Sequence, residues 1–150
     1  LPTQLYLSTN AADYESFIKI NKPKYDDSWE RWNRTLDMLK DLDTRTVLRI
    51  TLIRNYNDQK EMIPAFADMF RKASPHFIEI KSYMHIGRST NRLEHENMLE
   101  MSEVKKFSEE IAKQSKIFSI MDESLVSRIS ILQNNERFID RWISSYANTN

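Results

Sequence analysis

The segment FIEIKSYMHIGRSTNRL, residues 77–93, gathers the chain's most reactive side chains in one stretch. A β-rich run ends on Lys81 and passes through Tyr83, Met84 and His85. It then meets the only glycine of the protein, Gly87, and continues into Arg88, Ser89 and Arg92. Reactive residues at a strand end, followed by a polar loop, are how α/β barrels build active sites. A lysine that loses its water inside such a barrel has a lowered pKa and can form a Schiff base with a carbonyl. A lysine at a strand end is also commonly a snorkelling surface group. Both readings stand on these residues alone.

The other candidates are weaker. His76, beside Ser74 and Pro75, reads as a turn residue. His95 lies between carboxylates in LEHEN, but neither spacing matches a helical zinc motif, so it reads as a solvated loop residue and no metal ligand set is assigned. Neither a phosphate-cradling glycine loop nor a nucleophile elbow is found. With no cysteine in the chain, disulfides, thiolate zinc sites, cysteine nucleophiles and thiolate-held iron–sulfur clusters are excluded within it. A net charge of zero over 150 residues argues against a dedicated nucleic-acid binder, though a local basic patch remains open. No apolar stretch approaches a membrane span and no signal-peptide pattern opens the sequence, so an intracellular, cytoplasmic setting is expected.

The elements that must position Lys81 follow from periodicity. Strands are expected at 4–9, 45–53, 77–81, 116–123 and 128–133. The first helix, 11–20, is capped by Asn10 or Asp13; the second, 28–42, by Ser28, with Trp29, Trp32, Leu36 and Leu39 as its core stripe. A third carries Met62, Phe66, Met69, Phe70 and Ala73, with Pro64 in its first turn, and a fourth starts at Ser102 with Val104, Phe107 and Ile111 inward. Residues 134–143 read as a terminal helix and 144–150 as a frayed tail. Alternating strands and helices imply one α/β domain with a parallel sheet, right-handed crossovers and a C-terminal strand pair. With one glycine, the turns must rely on Asn, Asp, Ser and Pro.

Three strands share a two-faced pattern. Leu5 and Leu7, Leu48, Ile50 and Leu52, and Ile78 and Ile80 form one aliphatic face. The opposite face holds Tyr6, Ser8 and Asn10, then Val47, Arg49 and Thr51, then Glu79, Lys81 and Tyr83. Strands of an ordinary parallel sheet are apolar on both faces because both are covered. The polar face therefore lines a ligand cavity, or else Glu79 forms a solvated ion pair with Arg49 or Lys81 on an open sheet.

Five motifs then occur in order: LPTQLYLSTNAAD, NKPKYDDSWERWNRTLDML, RTVLRITLIRNYN, PHFIEIKSYMHIGRSTNRL and DESLVSRISIL. With them, residues 1–132 resemble the C-terminal half of the catalytic domain of tRNA 4-demethylwyosine synthase, a radical S-adenosylmethionine enzyme of wybutosine biosynthesis. The resemblance implies a partial (β/α) barrel, of which residues 1–150 are the C-terminal portion, with the cluster-binding N-terminal half absent. It implies a carbon–carbon lyase class of enzyme that condenses pyruvate with 1-methylguanosine beside the anticodon of tRNA-Phe. Its cofactors are S-adenosyl-L-methionine and 4Fe-4S clusters whose ligands lie upstream. Lys81 matches the lysine of the family's KxYMHxG run and is the implied Schiff-base residue. Ser8, Asn10, Arg49, Thr51, Tyr83, Met84 and His85 are the implied cofactor or substrate contacts. Arg88, Ser89 and Arg92 are the implied tRNA contacts, and Asp122, Glu123 and Ser124 match a motif without an assigned role. Asn10 stands where the family has aspartate, and Asn55 where it has glycine, so that turn is expected to differ. Partners would be tRNA-Phe, pyruvate, the missing barrel half and, through an exposed sheet edge, a second copy, with no membrane. The alternatives are a non-catalytic half-barrel that binds tRNA or a partner chain, and a cysteine-free, aldolase-like lyase using Lys81.

Lacking cluster ligands, the 150-residue chain by itself is expected not to cleave S-adenosylmethionine after iron and sulfide reconstitution. Chromatographic detection of cleavage products from the purified chain would overturn this.

Overall fold

A computed structural model describes residues 2–142. Five strands form one mixed sheet in the order β1-β2-β3-β5-β4. β1 (Gln4–Ser8), β2 (Arg45–Leu52) and β3 (Phe77–Ser82) run parallel, with Leu7 opposite Leu48 and Ile50 opposite Ile80. β4 (Phe118–Ser124) and β5 (Ile129–Asn134) are the expected C-terminal pair. β5 inserts antiparallel between β3 and β4, so the sheet is mixed rather than wholly parallel. Only a short turn, closed by Arg128 at φ 51°, separates β4 from β5, and a tight turn can join only antiparallel strands.

The aliphatic face is buried as the alternation required. Leu48, Ile50, Leu52, Ile78, Ile80 and Leu132 form one core with Leu36 and Leu39 of α2 (Ser28–Leu39), Phe66 and Phe70 of α3 (Ile63–Ala73), and Val104, Phe107 and Ile111 of α4 (Met101–Ser115). Each fully buried aliphatic or aromatic side chain contributes about 1.5–3 kcal/mol. α1 (Tyr14–Asn21) docks through Phe17, whose ring meets Trp29 edge-on at 5.2 Å. No helix among the described residues is long and apolar enough to cross a membrane.

Helix starts separate two kinds of cap. Asp13 caps α1 as expected, accepting the Ser16 N–H at 2.8 Å, so the helix begins at Tyr14 rather than Ala11. Ser28 is not a cap: it is the first residue of α2, after Asp27, whose carboxylate pairs with Arg31 at 2.7 Å. Ser102 is likewise inside α4. Glu100 occupies the cap position, and Glu103 returns to the Glu100 N–H at 2.7 Å in a capping box. The terminal helix expected over 134–143 does not form across 135–142. There Arg45 donates to the Arg141 carbonyl at 2.7 Å and the Trp142 carbonyl at 3.2 Å, holding that chain as an irregular strap. Residues 143–150, including the expected tail, lie outside the described residues. Left-handed turns fall at Lys22, Asn55, Ser74, Lys116 and Arg128, so lysine and arginine share the work expected of Asn and Ser.

His76 is no simple turn residue. Its buried Nδ1 accepts the Thr46 N–H at 3.0 Å, its own N–H donates to the Thr46 carbonyl at 3.1 Å, and its carbonyl accepts from Asn134 at 3.0 Å. It thus ties β2, β3 and β5 together at one end. Burial, reinforced by Arg137 and Arg45, lowers its pKa from 6.5 to about 4. The unfolded chain therefore takes up the proton first as pH falls. Stability is complete above pH 6.5, declines as pH falls toward 4 and levels off below. Urea denaturation at pH 7.5 and 4.5 should show that loss. His76→Asn, which keeps an acceptor for Thr46 without the titration, should flatten it.

Candidate active site at the strand ends

The parallel register lays the polar side chains in rows across the helix-free face. Ser8, Arg49, Glu79 and Ile131 form one row; Thr51, Lys81 and Ile129 form the next, at the C-terminal ends of β2 and β3. Arg49 and Glu79 pair side by side, with Nε 3.1 Å from Oε1 and Nη2 3.2 Å from Oε2. The Tyr6 ring lies 4.8 Å from the Arg49 guanidinium. Glu79 retains only 8% of its exposure, so the pair is partly desolvated rather than a surface bridge. Toward the N-terminal strand ends the same face holds a cleft of about 90 Å³, lined by Tyr6, Val47, Phe77, Glu79, Met121 and Ile131 among others. Lys81 lies outside it. Glu79 is taken by Arg49, and the Lys81 side chain makes no ion pair or hydrogen bond among the described residues.

The ends of β1 and β2 are fixed by a residue the sequence reading passed over. Asn57 has no solvent exposure, and its amide oxygen and both amide hydrogens are engaged. Its Oδ1 accepts the Ile53 N–H at 2.7 Å, and its Nδ2 donates to the carbonyls of Thr51 at 2.9 Å and Asn10 at 3.0 Å. Asn10 in turn accepts the Thr51 N–H through Oδ1 at 2.9 Å. Its carbonyl-type oxygen is therefore structural here, a role that aspartate could also fill. The hydroxyls of Ser8 and Thr51 keep no internal partner among the described residues. Asn55, where the turn was expected to differ, adopts φ 70°, the left-handed conformation that glycine favours and asparagine tolerates. The only sequence hint of Asn57 was an asparagine-rich loop, which does not by itself distinguish a turn from a buried brace.

Beyond β3 the chain brings Tyr83, His85 and Ser89 together. The Tyr83 hydroxyl lies 3.0 Å from His85 Nδ1 and 3.0 Å from Ser89 Oγ, and Ser89 Oγ lies 2.6 Å from the Ile86 carbonyl. Met84 is half-buried, and the His85 N–H points to the Met98 sulfur at 3.2 Å. Arg88 and Arg92 are exposed. Arg92 shares a cleft of about 110 Å³ with Lys19, Lys22 and Tyr56, and no carboxylate lines it. Asp122, Glu123 and Ser124 lie on the edge strand β4, where the register extends the two rows: Asp122 stands opposite Ile131 and Ser124 opposite Ile129. Asp122 pairs with Arg141 and Glu123 with Lys105 at 3.5 Å. The Asp122 carboxyl lies below its usual pKa, first through the Glu123 N–H and then through Arg141. His95 is exposed, and no group of three potential metal ligands occurs among the described residues.

Residues 72–134, which carry β3, Lys81 and the loop after it, match the family model for wyosine base formation. Over nearly its whole length the chain is 43% identical to the S-adenosyl-L-methionine-dependent tRNA 4-demethylwyosine synthase of Methanocaldococcus jannaschii, covering 93% of this chain and 43% of that protein. The synthase of Pyrococcus abyssi is 38% identical, with 91% and 39% covered, and that of Oryza sativa 38%, with 91% and 21%. A solved structure of TYW1 with a lysine-pyruvate adduct bound superposes with a TM-score of 0.82 at 41% identity, over 92% of this chain and 43% of that one. The crystal structure of an archaeal TYW1 gives 0.73 at 36%, over 92% and 42%. The resemblance read from the motifs thus stands: the chain matches the C-terminal part of the tRNA 4-demethylwyosine synthase family. It spans less than half the length of these relatives.

Replacing Asn57 by alanine strands the buried Ile53 N–H and two strand-end carbonyls, and should cost about 3 kcal/mol of stability. The urea midpoint of Asn57→Ala against the parent protein measures it.

Proposed function

We propose that this chain forms the C-terminal half of a (β/α) barrel of radical S-adenosylmethionine type, and that its parent protein condenses pyruvate with 1-methylguanosine in tRNA to give 4-demethylwyosine. The observation that carries the proposal is the setting of Lys81. It stands one residue before the end of β3 on the helix-free face, without an internal side-chain partner among the described residues, in a chain 41% identical to a TYW1 that holds a lysine-pyruvate adduct. An amine free of a carboxylate partner is what carbonyl addition requires. The Arg49–Glu79 pair supports this by occupying the carboxylate that would otherwise hold the ammonium.

The other roles follow the rows. S-adenosyl-L-methionine would meet the free hydroxyls of Ser8 and Thr51 and the remaining amide hydrogens of Asn10. When bound, it supplies the radical that takes hydrogen from the methyl group of the base. Arg49 is committed to Glu79 and Tyr6 and would act by shaping the pocket wall. The 4Fe-4S cluster does not fit this chain, which has no cysteine, so its ligands would come from the missing half. Arg88 and the carboxylate-free cleft of Arg92, Lys19 and Lys22 would meet tRNA phosphates.

Borohydride reduction of the intact protein in the presence of pyruvate should fix one adduct on Lys81, read as a mass increase on the peptide that contains it. Lys81→Ala should abolish it. Equal labelling of both proteins would remove Lys81 as the Schiff-base residue.

A further inference from the structure

The hydrogen bonds beyond β3 have only one consistent direction. The Ile86 carbonyl can only accept, so the Ser89 hydroxyl, 2.6 Å away, donates its single proton there. Ser89 Oγ must then accept from the Tyr83 hydroxyl at 3.0 Å, which uses the only proton of Tyr83. The Tyr83 oxygen is left as an acceptor toward His85 Nδ1 at 3.0 Å, so Nδ1 carries hydrogen. From this chain we infer that neutral His85 is held as the Nδ1–H tautomer, with the Nε2 lone pair free of any partner among the described residues, and that Tyr83 and Ser89 are the positioning residues that set it. Tyr83 is buried at 5% exposure, which limits competition from water for its hydroxyl.

A proton can enter or leave Nε2 without changing any bond in this chain, because Nδ1 donates in both charge states. That is the property of an acid–base group that must work twice in one reaction. The role follows from the Schiff-base reading of Lys81, on which this second half of the inference rests. Nε2 takes one proton from the Lys81 ammonium as its nitrogen bonds to the pyruvate carbonyl carbon. The lysine nitrogen passes a second proton to the former carbonyl oxygen to give the carbinolamine. Nε2 then returns the first to that oxygen, whose bond to carbon breaks as the nitrogen lone pair forms the iminium and water leaves. The three ammonium hydrogens end as one on the iminium and two on water, with the positive charge conserved. His85 stands four residues after Lys81 at the same strand end.

Nitrogen-15 NMR of histidine-labelled intact protein tests the tautomer, with the His85 signal identified by its loss in His85→Gln. At a pH where the imidazole is neutral, Nδ1 should resonate as the protonated nitrogen and Nε2 as the bare one. Tyr83→Phe should return His85 toward the Nε2–H form that free imidazole prefers. A wild-type signal showing Nε2–H, or a tautomer unmoved in Tyr83→Phe, overturns the assignment. For the role, His85→Asn keeps a donor facing Tyr83 but no base, and should slow borohydride-trappable imine formation about a hundredfold. An unchanged rate in His85→Asn, with label still on Lys81, refutes the proton-transfer role alone. Label that persists in Lys81→Ala refutes the Schiff-base reading and leaves the tautomer standing.

Discussion

Every feature of the site depends on the register of β1, β2 and β3. Side chains alternate along a strand, so a slip of one residue exchanges its two faces. In β2 it would place Arg45, Val47, Arg49 and Thr51 under the helices and lift Leu48 and Ile50 into the open. In β3 it would bury both Glu79 and Lys81. Exposing the aliphatic side chains forfeits about 1.5–3 kcal/mol each, and burying unpaired charges costs several more. The core therefore selects one register, and that register aligns Thr51 with Lys81 and Arg49 with Glu79. The site inherits its geometry from the packing behind it.

Two braces make this alignment firm at opposite ends. His76 with Thr46 fixes the start of β2 against β3, and Asn57 fixes the ends of β1 and β2. Both are buried polar groups with their main valences satisfied, the condition under which such groups rigidify rather than weaken a fold. Between them Arg49 and Glu79 neutralise each other, which leaves the end of β3 to a lysine without a carboxylate partner among the described residues. A lone cation on a polar face is a weak stabilising element.

Local patterns were legible where one interaction dominates. The strands, the core stripe of Leu36 and Leu39 and the Asp13 cap are all visible in spacing and residue type. Less was legible where two residues compete for one task. Glu100 with Glu103 displaced Ser102 as cap because the pair satisfies two amide groups reciprocally. The pattern of 134–143 suits a helix, but Arg45 holds the carbonyls of Arg141 and Trp142 from far along the chain. Lysine at two left-handed turns replaces the glycine that local preference would favour.

The sequence by itself determined the two faces of the sheet, the order of the elements, the absence of thiolate chemistry and, through five motifs, the family. These depend on residue type and short spacing, which the chain carries wherever it folds. Only the tertiary structure decided that Arg49 takes Glu79 and leaves the Lys81 side chain without a partner among the described residues, and that Asn57 and His76 are buried braces. Each is settled by which partner a polar group meets across the fold. Asn57 reaches Asn10 and His76 reaches Thr46 from distant parts of the chain. Contacts of that range exist only once the apolar face is buried.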